Sequence, residues 1–213
     1  MEEKRIPSRV LRIVVDQVSE LMGAGTLRML FTQAGLPRYD EENLPPMDDS
    51  PSVTLAEYSR VLHTIHQVFG PRGARALMLK GGQAAFEQIR ASNPGRYAVV
   101  GVALKVLPEA KRVHLALRRL IDESQQFYGN EYHLSEEPDA FVVEISDCPY
   151  CAVEREQIGA GQPPVDHAIC HIPVGAYASL VEWVTGKKHR VEETECAAMG
   201  ATSCRIRIQK AAE

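Results

Sequence analysis

The periodicity of the apolar residues first changes from helical to alternating near Glu131, and this change limits the fold more than any other feature of the sequence. Before it, apolar residues recur three and four apart, as one buried helix face requires. After it they alternate, as half-buried strands do, over 131–136 and 140–146, joined by the acidic turn Glu137-Pro138-Asp139. A last helix is predicted over Ile172–Thr185, with Pro173 suited to its first turn and Gly186 stopping it. Alternating runs at 188–194 and 203–209 follow. Helices, two strands, a helix and two strands predict an α+β fold, an antiparallel sheet packed with helices. A parallel, doubly wound sheet needs strands and helices alternating from the start.

Within the helical half, Val10, Leu11, Val14, Val18 and Leu21 mark a first helix with Ser8 as its cap, interrupted at Gly23 and Gly25. A short helix over 26–34 leads into 36–52, rich in proline and acid and read as an exposed loop. Thr54 and Glu57 have the spacing of a capping box, in which hydroxyl and carboxylate each satisfy a free backbone donor. The helix they open should reach Phe69, turn at Gly70-Pro71-Arg72-Gly73 and resume over 74–91, with Gly81-Gly82 a break or a place of close packing. An apolar helix from Tyr97 to Leu107 and a more polar one over 109–128 complete this half. The apolar faces around Val99, Val102, Leu104 and Leu107, with parts of 77–86, are expected to line a cavity against the sheet. The division read from this order is a helical region over 1–107 and a second region over 108–213, forming one compact unit.

With 45% hydrophobic residues among 213, the chain can bury a substantial core. Its first residues hold no apolar run of signal-peptide length, and Lys105 interrupts the longest apolar stretch, so the cytoplasm is the expected location. A net charge of -4 gives no general attraction to nucleic acid or acidic lipid, although Lys111-Arg112 and Arg118-Arg119 are local basic clusters.

All five cysteines fall in the last third of the chain, each at the end of a segment: Cys148, Cys151, Cys170, Cys196 and Cys204. In a reducing compartment, an odd number of thiols fits metal ligation better than a disulfide framework. Zinc takes four thiolate, imidazole or carboxylate ligands, and structural sites commonly draw one pair from a Cys-x2-Cys turn. Cys148 and Cys151 form such a pair, and on spacing any four of the five complete a site. His167 and His171 flank Cys170, and one of them could replace a thiolate, but no glutamate lies between them as a zinc protease requires.

The helix H-I-P-V-G-A-Y-A-S-L-V-E-W-V-T-G-K (171–187) and the run V-E-E-T-E-C-A-A-M-G-A-T-S-C-R-I-R-I (191–208) resemble the 4-vinyl reductase domain family. They are similar to bacteriochlorophyll-biosynthesis proteins of that name and to the phenol-sensing domains of certain bacterial activators. Further forward, G-P-R-G-A-R-A-L (70–77) is similar to the same group more loosely. The resemblance implies a ligand-binding fold shared with NO-signalling and Golgi-transport proteins and built to enclose hydrophobic molecules. It also implies a structural zinc held by Cys170, Glu193, Cys196 and Cys204. Cys148 and Cys151 depart from that pattern, and a thiolate from either could take the place of Glu193.

A vinyl reductase must deliver a hydride or an electron pair, which requires nicotinamide, flavin or an iron–sulfur partner. Gly23-Ala24-Gly25 follows a helix, and the dinucleotide fingerprint is valid only after a strand. No catalytic or cofactor-binding residue is singled out by spacing. The resemblance therefore implies first a zinc-containing protein that holds a hydrophobic tetrapyrrole intermediate of bacteriochlorophyll synthesis. A reductase using an external electron donor is the alternative, and a sensor of a small hydrophobic ligand is a further one. A magnesium tetrapyrrole would need a donor above the metal and cations at its rim. Candidates are His63, His66 and His114 with Arg72, Arg75, Arg112, Arg118 and Arg119. Expected partners are the small-molecule ligand and the enzymes of pigment biosynthesis, with a homodimer left open and neither nucleic acid nor a membrane span.

Overall fold

The computed structural model describes residues 4–92, 94–95, 97–98, 101 and 106–213. Its helical half opens with a two-residue strand, β1 (Arg5–Ile6), and helix α1 (Ser8–Met22), whose Leu11, Val14, Val15 and Val18 are buried at helical spacing. Ser8 does not cap this helix. Pro7 holds the capping position, and the first backbone donors go to loop carbonyls, Ser8 N–H to Ser50 O at 2.9 Å and Arg9 N–H to Asp48 O at 3.0 Å. The Ser8 hydroxyl instead donates to Asp48 Oδ1 at 2.7 Å. After α2 (Thr26–Gln33), the segment expected to be an exposed loop is pinned to the core, since Leu36 and Tyr39 are buried and its carbonyls serve α1.

Strand β2 (Val53–Thr54) pairs antiparallel with β1 and leads into α3 (Leu55–Ser92) through the anticipated capping box. Thr54 N–H donates to Glu57 Oε2 at 3.0 Å, and Glu57 N–H donates to Thr54 Oγ1 at 3.1 Å. The helix breaks at Gly70, where φ is 64°, but Pro71 restarts it at once, so no four-residue turn forms. Proline suits a first helical turn because its missing N–H is not needed there. Helix α4 (Glu109–Tyr128) runs to Gly129 in the left-handed region. Val99, Val102 and Leu104 lie outside the described residues.

The second half holds strands β3 (Tyr132–Glu136) and β4 (Ala140–Ile145), helices α5 (Ala152–Gly159) and α6 (His171–Thr185), and strands β5 (His189–Glu195) and β6 (Cys204–Ala212). The sheet order is β3-β4-β6-β5, antiparallel throughout, and it carries its helices as the α+β expectation requires. Register places Phe141 opposite Ile208, Val143 opposite Ile206 and Ile145 opposite Cys204, all facing the core. On the other face Glu144 lies opposite Arg205 and Glu192 opposite Arg207. Burying each such apolar side chain contributes on the order of 2 kcal/mol. One hydrophobic core runs continuously from α1 to β6. Among the described residues no helix is long and apolar enough to cross a membrane.

Two glycines set how closely α3 and α6 approach. A Cβ on Gly82 would stand 1.9 Å from the Ile172 carbonyl oxygen, and one on Gly175 would stand 2.2 Å from that of Leu79. Both obstacles are backbone, which cannot turn aside as a side chain can. Gly82→Ala and Gly175→Ala are each expected to destabilise the protein by more than ~2 kcal/mol in urea denaturation, because an overfilled contact forces backbone shifts. Gly159→Ala, on an exposed helix end with nothing within 4 Å, should be neutral or slightly stabilising. Equal stabilities for all three variants would contradict the close crossing.

Candidate metal centre and ligand cavity

Four segment ends meet at one buried point. Strand β4 ends in a turn through Asp147, whose φ is 47°, and enters a short 3-10 turn, Pro149–Cys151, with Cys148 just before it. Cys170 precedes the first residue of α6. Cys196 follows β5 and opens a second 3-10 turn, Ala197–Met199, while Cys204 begins β6 on the core face of the sheet. All five thiols are free and at most 1% exposed.

Ligand atoms of Cys148, Cys151, Cys170 and Cys204 all lie within 4.8 Å of one another, and so do those of Cys170, Glu193, Cys196 and Cys204. Sulfur pairs in direct contact include Cys148 and Cys170 at 3.5 Å, Cys151 and Cys204 at 3.6 Å, and Cys170 and Cys204 at 3.6 Å. A zinc–sulfur bond of about 2.3 Å puts tetrahedral sulfurs about 3.8 Å apart, so these spacings fit zinc with a shift of a few tenths of an ångström. Glu193 Oε2 accepts from Cys170 N–H at 2.9 Å, while the shielded Oε1 has no hydrogen-bond partner. Ala197 N–H points at Cys204 Sγ at 3.3 Å, a contact that favours a thiolate there.

The titratable groups of the cluster are shifted in opposite directions. Burial pushes the Cys148 and Cys170 thiols up, and burial followed by the neighbouring Cys196 pushes Glu193 up to about 9. Cys196 moves down because the surrounding thiols of Cys151, Cys170 and Cys204 hydrogen-bond its sulfur. A divalent ion reverses this logic by favouring every ionised donor at once. His167 and His171 belong to neither set, and instead their rings lie tilted against that of His66, with centroids at 6.1 and 6.2 Å. Both ring nitrogens of His66 are buried with no side-chain hydrogen bond among the described residues, and burial lowers its pKa.

Next to this centre lies a cavity of about 70 Å³ between α1, the second arm of α3, α4 and α6. Val14, Phe86, Leu120, Phe127 and Ile172 give it apolar walls. Tyr58, Tyr128, Tyr150 and Tyr177 contribute further lining, and the rings of the first three lie 5.5 to 6.3 Å apart. Sequence reasoning missed these tyrosines, because nothing local marks residues so far apart as neighbours. Gly81, Ala85 and Phe86 of the 77–86 stretch line the cavity, but it lies among helices and not against the sheet as expected, and Leu107 does not line it. Nor do the histidines considered for a tetrapyrrole: His63 bonds Glu154 Oε1 at 2.7 Å, and His114 packs on Phe141. The two charged lining residues are already paired, Arg9 with Asp49 at 2.9 Å and Glu123 with Arg119 at 2.8 Å.

Residues 141–210, which contain all six converging side chains, match the model of the 4-vinyl reductase domain. The fold of the whole chain is similar to that of an Fe(II) unliganded H-NOX protein from K. algicida, with 12% identity over 98% of each chain and a TM-score of 0.61. An H-NOX protein from S. oneidensis in the Fe(II)NO ligation state aligns over 96% of this chain and 98% of its own, at 11% identity and a TM-score of 0.56. The phenol-responsive sensory domain of the transcription activator PoxR, with phenol, aligns over 91% of this chain and 88% of its own, at 15% identity and a TM-score of 0.50. No curated protein matches the sequence. At these identities the likeness establishes the fold.

Cys170 and Cys204 belong to both ligand sets, whereas Cys148 and Cys196 each belong to one. Replacing either shared cysteine with serine is expected to abolish retention of zinc through gel filtration and to unfold 141–210. Structural zinc contributes on the order of 10 kcal/mol or more to such folds. Cys148→Ser should leave a metal-retaining protein. Metal analysis of the purified variants checks this, and equal metal content in all of them would contradict it.

Proposed function

We propose that the protein is a ligand-binding sensor domain for a small, neutral, apolar molecule, with a structural zinc centre beside the binding cavity. The match of residues 141–210 to the 4-vinyl reductase domain and the H-NOX-like fold of the chain support this reading. The observation that carries it is the cavity itself: enclosed by four helices, walled by apolar side chains and tyrosines, and with its charged rim already neutralised. Likeness to a phenol-responsive domain and to an Fe(II)NO-ligated protein adds to it.

Cavity size supports the small molecule over the tetrapyrrole. At about 70 Å³ the cavity is roughly half of an engineered apolar cavity of about 150 Å³ that admits benzene. A ring-sized ligand therefore needs a modest outward shift of one lining helix, while a tetrapyrrole disc needs the helices to separate. Among the described residues the lining also offers no histidine to a tetrapyrrole metal and no unpaired cation to its carboxylates. A phenol-type hydroxyl, by contrast, would meet tyrosine hydroxyls, which can donate or accept.

The metal plays a supporting part in this reading. Tyr150 lies between Cys148 and Cys151, and Ile172 and Pro173 follow Cys170 by two and three positions; all three line the cavity. A ligand that displaces them also moves segments anchored at the centre, which gives occupancy a route to the sheet.

Phenol and short alkylphenols are expected to bind with micromolar dissociation constants, roughly 8 kcal/mol, read by calorimetry and by fluorescence of Trp183, which packs on the cavity residue Phe86 at 6.1 Å between centroids. Ala85→Leu, which fills the cavity from α3, should remove binding while the circular dichroism spectrum is kept. A magnesium porphyrin should bind at least tenfold more weakly than the best alkylphenol. Absence of binding by every alkylphenol at millimolar concentration, with folded protein, would overturn the proposal.

A further inference from the structure

We propose that the cysteine cluster is a binuclear centre, in which Cys170 and Cys204 bridge two tetrahedral zinc ions. This rests on the reading of the cluster as a metal centre and extends it from one ion to two. The first ion would add Cys148 and Cys151 as terminal ligands, and the second Cys196 and Glu193.

The geometry that points here is the overlap of the two four-ligand sets, which share one edge, Cys170 to Cys204. A thiolate sulfur has lone pairs enough for two metals, and two tetrahedra can share an edge without further ligands. With that edge at 3.6 Å and zinc–sulfur bonds of about 2.3 Å, the two ions would stand about 3 Å apart. Each bridging sulfur already has a terminal sulfur of the Cys148–Cys151 turn beside it, Cys148 at 3.5 Å from Cys170 and Cys151 at 3.6 Å from Cys204. On the other side Glu193 turns its second oxygen to Cys170 N–H, leaving the shielded Oε1 without a partner and able to serve as a terminal ligand.

Charge does not oppose the second ion. Four anionic ligands around one Zn²⁺ leave a formal charge of about -2, and five thiolates and a carboxylate around two leave the same value. A single ion would strand two buried donors, either the thiols of Cys148 and Cys151 or Cys196 with Glu193, and the first pair has only a poor hydrogen bond, Cys151 Sγ to the Cys148 carbonyl at 3.7 Å. A second ion uses both without adding net charge to the interior.

Native mass spectrometry of the full chain expressed with zinc tests the count, and ¹¹³Cd substituted for zinc tests the bridge by NMR. Two ions per chain are expected, with two ¹¹³Cd resonances that split each other through the shared sulfurs. The double variant Cys148→Ser/Cys151→Ser should fall to one ion and one unsplit resonance. One ion and one resonance in the unaltered protein would overturn the binuclear centre while leaving the single-metal reading intact. Two resonances without mutual splitting would overturn the bridge, and no bound ion at all would overturn both readings.

Discussion

Everything in the second half of the chain depends on the convergence of five sulfurs and one carboxylate at a buried point where four segment ends meet. Ordinary core packing does not explain such a point. Thiols donate weakly, Glu193 has one oxygen with no partner, and burial alone drives its carboxyl toward the neutral form. A divalent ion would satisfy all of these groups together. It would also tie the ends of β4 and β5 to the start of β6 and the head of α6.

The close crossing of α3 and α6 puts the cavity next to that point. Gly82 and Gly175 allow the two backbones to meet, so α6 lies against the second arm of α3 with Ile172 and Pro173 at the cavity wall. The first arm reaches the same place by another contact: the Ser59 hydroxyl donates to the Pro149 carbonyl at 2.8 Å, inside the Cys148–Cys151 turn. Tyr58 beside it packs against Tyr128 and Tyr150. Helices, cavity and cysteine turn are thus joined through a few buried contacts in one close-packed core.

Much of this was legible in the sequence where the signal is local. Alternation places β3 to β6 to within a few residues, and the Thr54–Glu57 capping box forms as its spacing predicts. The grouping of cysteines at segment ends, together with the family resemblance for Glu193, named the six side chains that the fold brings together. Signals failed where the partner is distant. Ser8 has a capping residue's identity, but its helix is satisfied by carbonyls some forty residues away. Leu36 and Tyr39 sit in a segment of loop-like composition, yet the core takes them. Helix α5 carries too few apolar residues to show a period, and the cavity tyrosines share no local pattern.

The central claim, that a bound metal organises the segments around the cavity, is tested most directly by amide hydrogen exchange before and after removal of metal with a chelator. The account predicts that amides at 148–151, 165–171 and 196–204, Ala197 among them, lose protection on chelation, while those of α1 in the helical half keep theirs. Equal protection at all these positions with and without metal would contradict it.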